Sequence, residues 1–438
     1  MSRYRIAAAG LLTLAAAACA DAPNAPEARP LEIAPRQSVS DAVVPGEVLV
    51  KMKPGFSVSD LDGGDTRISF NRSLVSASRT AVVGVERGAE RAEAARLMQD
   101  ERVEYAEPNF LRQPLAIDPR LWAFYNPGGK TAYFNETDSR VGQPLPASYA
   151  SVLDADMDVI EGIGAGGSPV VISSIDTGVD MDHPEFTGRL IMGKDWVTGD
   201  NNPEDEDGHG THTSGTMAGS TVGVAGVSGA AANVKILVQR VCGPSGCPTS
   251  AIVNAIYAAA DYPGMVAMNL SLGGSIETRS EKDAIKYAVV TKGVLVIAAA
   301  GNSASGKVGC PACDPNAISV SALNWSGTLT TYSQYGSGLD ISAPGGQLYS
   351  NTTDEMGIWA SYLSGGYAML QGTSMATPNV TGVAAVVASK TGLRGAALRS
   401  RLESTTDDIG AAGYDTKYGN GRANLYRALT GTSLGAGL

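Results

Sequence analysis

The chain has 438 residues, of which 43% are hydrophobic and 18% charged, a composition that suits a globular protein long enough for more than one domain and a large core. Its net charge of −11 comes with no window of clustered Lys and Arg. That excludes a nucleic-acid partner, because phosphate binding needs concentrated positive charge.

Residues 1–20 place Arg3 and Arg5 ahead of an apolar run from Ile6 to Ala18, then small residues at Cys19 and Ala20, the pattern of a secretory signal peptide. The run is too short to span a bilayer, and no later segment reaches about 18 uninterrupted apolar residues, so the rest is expected to be exported and soluble. Ala16-Ala17-Ala18-Cys19 also admits a lipoprotein signal; membrane contact is expected only if Cys19 is lipidated. Residues 21–44 are rich in Pro and Ala and read as a linker.

A compact unit is expected over 45–112. GEVLVKMK alternates as a strand, AERAEAARLMQD has helical composition, and ERVEYAEPNF alternates again, which together suggest a small α+β domain. From about residue 168 short apolar strands (PVVISSI, VKILVQRV, GMVAMNLSL, GVLVIAAA, AISVSAL) alternate with helix candidates SAIVNAIYAAAD and EKDAIKYAVV. Near-continuous apolar strands between helices imply a doubly wound α/β domain with a mostly parallel sheet covered on both faces. Reactive groups in such sheets collect at the carboxyl ends of the strands. Asp176, Asn269, Ser271 and Asn302 fall there. Residues 126–165 suggest no function, and 432–438 read as a tail.

Setting Cys19 aside, four cysteines remain, and an even number in an exported chain reads first as two disulfides. Cys242–Cys247 and Cys310–Cys313 are the expected pairs, although four cysteines permit three connectivities and a four-thiolate zinc site is the rival.

Histidine occurs only at 183, 209 and 212, all before Ser374 in GTSMATP. Ser374 alone would read as a helix cap. As a nucleophile it needs a base, and an α/β-hydrolase would place its histidine after the serine, within Gly-x-Ser-x-Gly. Both requirements fail here. Asp176-Thr177-Gly178 also matches the aspartic-protease triplet, but no second such triplet occurs.

The order that remains is acid, histidine, serine. The blocks VVISSIDTGVDMDHPEF, DGHGTHTSGTMAG, MNLSLGG, VIAAAGN and GTSMATP resemble, in that order, the signature blocks of the subtilisin-like serine proteases, over about residues 117–431. The unit at 45–112 is similar to the inhibitory prodomain of such enzymes. The resemblance implies that Asp176, His209 and Ser374 form the catalytic triad, with the Asn302 amide and the Ser374 N–H binding the oxyanion. It leaves His183 and His212 structural. It implies that Ser271, Leu272 and Gly273 pair with an extended peptide, that Ala299, Ala300 and Gly301 wall the specificity pocket, and that the CGPSGC loop forms the cleft's other edge.

Further expectations follow from the resemblance. Protein or peptide substrates, self-cleavage somewhere beyond Asn109-Phe110, the prodomain as inhibitor, a monomer, and no cofactor for the chemistry are all implied. Pro378 is expected within the first turn of the Ser374 helix, where it costs little. The acidic stretch DWVTGDNNPEDEDG, residues 195–208, is dense in the oxygen ligands of a structural calcium site, and a merely solvated loop is the equal alternative. Thr213-Ser214 stands where the family commonly has Val-Ala. The rival function is a catalytically inactive relative acting as a binding module.

Overall fold

The computed structural model describes residues 43–61, 69–73, 80–110, 118, 120–126, 128–152 and 155–431, in two compact units, one within 32–116 and one from 117 onward. The signal peptide, Cys19 and the tail at 432–438 lie outside the described residues. Of the 21–44 linker only Val43 and Val44 are described, and they already belong to the first strand.

The smaller unit contains β1 (Val43–Met52), β2 (Ser69–Ser73), β3 (Thr80–Gly84), α1 (Glu90–Leu97) and β4 (Val103–Phe110). Its sheet is antiparallel in the order β2-β3-β1-β4. The sequence pattern predicts β1, α1 and β4 but misses β2 and β3, whose five residues each are too few to show a period. Val48, Val50 and Met52 alternate inward from β1 and meet Val83, Ala94, Leu97 and Val103 in a separate core.

The larger unit runs through β5 (Val170–Asp176), β6 (Leu190–Asp195), α2 (His209–Ala218), α3 (Val224–Val227), β7 (Val234–Arg240), α4 (Thr249–Ala260), β8 (Met265–Leu270) and α5 (Arg279–Lys286). It continues through β9 (Leu295–Ala299), β10 (Ile318–Leu323), β11 (Ile341–Pro344), the hairpin β12 (Ile358–Tyr362) and β13 (Gly366–Leu370), then α6 (Thr373–Thr391), α7 (Gly395–Ser404) and α8 (Leu425–Thr430). Seven strands form one parallel sheet in the order β11-β10-β9-β8-β5-β7-β6. All five predicted strands are in it. The chain leaves β5 in both directions, so the ends of β5, β7 and β8 border the crevice where such folds hold their ligands.

Both faces are covered. Ile172, Ile236 and Val238 join one core with Met217 of α2 and Val380, Val383 and Val387 of α6. Ile175, Leu237, Met268 and Val296 join the other with Ile252 and Ile256 of α4 and Ile285 of α5. From residues 126–165, which suggest no function, Phe134, Met157 and Val159 pack into the first core; Trp122 and Phe124 just before them do the same, and Trp122 Nε1 donates to the Gly357 carbonyl at 2.7 Å.

The helix α6 is buried along Thr373–Ser389, which only small residues permit. A Cβ added at Gly382 would stand 2.7 Å from Val224 Cβ and 2.8 Å from the Met217 carbonyl oxygen. The carbonyl is helix backbone and cannot yield. Gly382→Ala is therefore expected to lower stability by about 1–2 kcal/mol, overpacking outweighing the helix propensity gained, and to lower the guanidinium midpoint.

Candidate active site

The strand β5 ends at Asp176, whose carboxylate is buried at 2% exposure. Its Oδ1 accepts the Thr177 N–H at 2.7 Å and lies 2.7 Å from His209 Nδ1, while Oδ2 accepts the Thr213 hydroxyl at 3.1 Å. A carboxylate facing Nδ1 makes that nitrogen the proton carrier and leaves Nε2 to act as a base. The Asp176 carbonyl also accepts Val241 N–H at 2.8 Å and Cys242 N–H at 3.2 Å, tying the CGPSGC loop to the same strand end.

His209 is the first residue of α2, and its position depends on Gly208 and Asp205. Gly208 has φ 103°, and a Cβ there would stand 2.4 Å from the Tyr362 ring, so the turn requires glycine. Asp205 Oδ1 accepts Gly208 N–H (3.0 Å) and the Thr177 hydroxyl (2.9 Å), and Oδ2 accepts both the amide (2.8 Å) and hydroxyl (2.6 Å) of Thr211. Gly210 N–H in turn donates to Thr177 Oγ1 at 2.8 Å. Burial alone would raise the Asp205 pKa, yet the bonds from Gly208, Thr211 and Asp207 hold it below the ordinary value. One anion thus clamps the start of α2 to the end of β5, helped by the positive end of the helix. Sequence reading missed this role; the usable signal was an aspartate just ahead of a glycine-led helix start.

The same bonds bear on calcium. Asp195 accepts Val197 N–H (2.7 Å) and Thr198 N–H (3.1 Å) and faces Arg240 at 3.2 Å. Glu206 pairs with Arg240 at 2.7 Å, and Asp200 accepts Asn202 N–H at 2.8 Å. Among the described residues no three His, Cys, Asp or Glu side chains converge as a cation shell. Asp195, Asp200 and Glu206 of this loop thus have partners within the protein.

Ser374 is the second residue of α6, after Thr373, with Gly372 as the cap, so it does not cap the helix itself. Thr373 N–H donates to Asn302 Oδ1 at 2.9 Å and the Thr373 hydroxyl to the same oxygen at 2.8 Å. Those two bonds fix the Asn302 amide and turn its Nδ2 the other way. Gly372, at φ 152°, leaves the space open: a Cβ there would stand 3.4 Å from Ser374 N and 3.6 Å from Asn302 Nδ2. Both N–H donors therefore border one small volume. Ser374 Oγ donates to the Ser271 carbonyl at 3.3 Å.

Because α6 begins at Thr373, Pro378 is its sixth residue and not in the first turn, a correction to the sequence expectation. Interior proline removes the amide that would serve the Ser374 carbonyl. Ser271 Oγ supplies the donor instead, at 2.8 Å, and is itself held by Asn269 Nδ2 at 2.9 Å.

The predicted substrate-binding residues divide. Ser271 touches Ser374 directly, and Gly301 N–H reaches Thr373 Oγ1 at 3.2 Å. Leu272 and Ala300 are buried in the core shared with α4, and Ala299 is buried as well. Gly273 is half-buried, and its neighbour Gly274 exchanges backbone bonds of 2.7 and 2.8 Å with Cys310. The disulfides are Cys242–Cys247 and Cys310–Cys313, as expected, which rules out the zinc reading. A hollow of about 160 Å³ beside the site is lined by Thr177, Glu206, Asp207, Arg240 and Cys242 to Pro244.

The other histidines are structural. His212 is fully buried and bridges the hairpin, its Nε2 donating to Ile358 O (3.0 Å) and Ala368 O (3.2 Å). Burial pushes its pKa down to about 3, so it stays neutral. His183 packs edge-on to Tyr367 and bonds Gly366 O at 2.9 Å.

Residues 167–421 match the sequence profile of the subtilase family. Among curated relatives, thermitase of Thermoactinomyces vulgaris is 38% identical over 273 residues, spanning 62% of this chain and 91% of its own length. A thermophilic serine proteinase of Bacillus sp. strain AK1 is 35% identical over 395 residues, spanning 89% of this chain and 88% of its own length. Among solved structures, Sphericase superposes with a TM-score of 0.52 at 34% identity, covering 60% of this chain and 93% of that one.

Asp205→Ala removes the clamp on α2 and leaves several buried donors unpaired, so a stability loss of about 2 kcal/mol is expected. The native pKa is depressed, so the carboxylate's contribution is full above the unfolded value of about 3.9 and disappears as pH falls through the native one. Denaturant titrations of both proteins should therefore converge as the pH drops below about 4.

Proposed function

The chain belongs to the subtilase family and is a subtilisin-like serine protease, and from that premise we propose that it is a secreted endopeptidase, made as a self-processing precursor, that works through Asp176, His209 and Ser374. The observation that carries this reading is the 2.7 Å contact of Asp176 Oδ1 with His209 Nδ1 at the strand end bordering the Ser374 helix. These matches lend no support to an inactive binding module.

In this mechanism His209 takes the hydroxyl proton as Ser374 Oγ attacks the peptide carbonyl carbon, then delivers it to the leaving amine. Asp176 keeps the proton on Nδ1 and stabilises the imidazolium. The oxyanion of the tetrahedral intermediate takes the Ser374 N–H and Asn302 Nδ2, which border the volume that Gly372 keeps open. Water then hydrolyses the acyl-enzyme by the same proton path. No metal or cofactor enters these steps. The substrate is an extended peptide that pairs along Ser271-Leu272-Gly273, with Ala299, Ala300 and Gly301 opposite, recognised through main-chain groups.

Residues 45–112 are read as the prodomain, which assists folding, inhibits the enzyme, and is cut away at a point somewhere beyond Asn109-Phe110, and the enzyme is read as a monomer. In support, they carry a core of their own, and the similarity to the Bacillus proteinase spans more of this chain than the residues from 117 onward supply. Two disulfides suit an exported protein, and no helix of the described residues is long and apolar enough to cross a membrane.

Incubation with a serine-directed phosphonyl fluoride is expected to place one adduct on Ser374, located by peptide mass analysis. Folded, processed protein that takes up no label there would sink the proposal. Ser374→Ala made in a protease-free host should stay at precursor mass; conversion to mature size would disprove self-cleavage. For Asn302→Ala we expect kcat to fall roughly 10²–10³-fold with KM little changed, the cost known for losing such a donor in a subtilisin.

A further inference from the structure

Thr213 is fully buried, one turn into α2 from His209, and its hydroxyl reaches the carboxylate oxygen that His209 leaves free. We propose that Thr213 is a positioning residue for the protease reaction, holding the Asp176 carboxylate in the plane that presents Oδ1 to His209 and drawing off part of its charge. The inference rests on the roles given above to Asp176, His209 and Ser374.

Asp176 Oδ1 is held by Thr177 N–H and by His209 itself. A carboxylate gripped through one oxygen can still turn about its last side-chain bond, whose torsional preference is broad. A donor on Oδ2 removes that freedom. The single Thr213 hydroxyl proton has two acceptors within reach, Asp176 Oδ2 at 3.1 Å and the Gly210 carbonyl at 3.2 Å. The ionised acceptor forms the stronger bond.

The surroundings argue that this hydroxyl is matched to its partner. Burying a hydroxyl where a methyl would fill the same volume costs free energy unless it is hydrogen-bonded. The next residue meets the same demand: Ser214 Oγ donates to Ser174 Oγ of β5 at 3.0 Å. Asp176 and Ser174 are two apart on β5 and share one face of the sheet. Two consecutive α2 hydroxyls, the pair that departs from Val-Ala, are thus each spent on the same strand.

Loss of the hydroxyl also has a signed effect on titration. Without the Thr213 bond, Asp176 offers more charge to the imidazolium, so the His209 pKa rises and the base form appears at higher pH. The other ionisable groups around the pair are Asp207, which accepts the His209 N–H at 3.2 Å, Asp205 behind Thr177, and His212 on α2. Glu206 and Arg240 line the adjoining hollow. Thr373 and Ser374 of α6, Asn269 of β8 and Ser271 just beyond that strand are uncharged. None of these is changed by a substitution at 213.

The test is kcat and kcat/KM against pH for wild type, Thr213→Val and Thr213→Ser, with activity counted per Ser374 titrated by a phosphonyl fluoride so that misfolded protein drops out. Thr213→Val is expected to lower kcat about three- to tenfold with KM unchanged, and to move the acid limb of kcat/KM upward by about 0.5 pH unit. Thr213→Ser, which keeps the hydroxyl, should recover most of both. A Val variant with the wild-type kcat and acid limb overturns the inference and leaves the triad reading intact. A Ser variant that behaves like Val also overturns it, since packing and not the hydroxyl would then be responsible. Wild-type protein that takes no label at Ser374 overturns the triad reading, and the inference with it.

Discussion

The arrangement of this site depends on one junction, the docking of the α2 amino end on the carboxyl end of β5. Asp176 ends the strand, His209 starts the helix, and their 2.7 Å contact exists only because those termini are held together. Asp205 holds them, with its carboxylate bonded to the first turn of α2 and, through Thr177, to the strand end. A buried carboxylate would ordinarily be costly, but here it accepts several hydrogen bonds at the positive end of a helix. The chemistry therefore stands on rigid elements with the aspartate supporting them from behind.

The serine side is built differently, and the difference follows from what each helix start must present. At α2 the first residue itself is the proposed base and the anion sits behind it. At α6 the first-turn amides are the useful groups, so one of them has to stay free of side-chain caps. Asn302 Oδ1 takes the Thr373 amide and hydroxyl, leaving the Ser374 amide with no acceptor among the described residues. An amide left unpaired at a helix start is a cost in the free protein that a developing negative charge can recover.

How far the sequence could be read depended on the range of the interactions. Five of the seven sheet strands were legible because strands buried on both faces are almost wholly apolar, and Asp176, Ser271 and Asn302 stand out where polarity interrupts them. β6 was not, since LIMGKD carries Gly193 and two charges on a half-exposed edge strand. The hairpin β12–β13 was missed although it matters to α2, because His212 is tied to it by carbonyls 146 and 156 residues away. In the acidic stretch at 195–208 composition shows charges and not what they face. Its partners, Arg240 and the α2 amides, became visible only with the fold. Residues 126–165 suggested nothing, yet Phe134 and Met157 fill the principal core, which is a matter of volume and not of pattern.

Pro378 shows how an apparent local fault becomes a link between elements. Reading it as a first-turn residue made it harmless, because amides there lack partners in any case. At the sixth position it deprives the Ser374 carbonyl of its helical donor, and that carbonyl is buried beside the proposed nucleophile. A buried carbonyl without a donor would cost about 1–3 kcal/mol. Ser271 donates instead, Asn269 holds Ser271, and Thr381 of the same helix donates to Asn269 Oδ1 at 3.2 Å, closing a loop from α6 to β8 and back. The missing backbone bond is thus what joins Ser374 to the strand segment proposed to pair with substrate. An uninterrupted helix would satisfy its own carbonyl and leave Ser271 without that role.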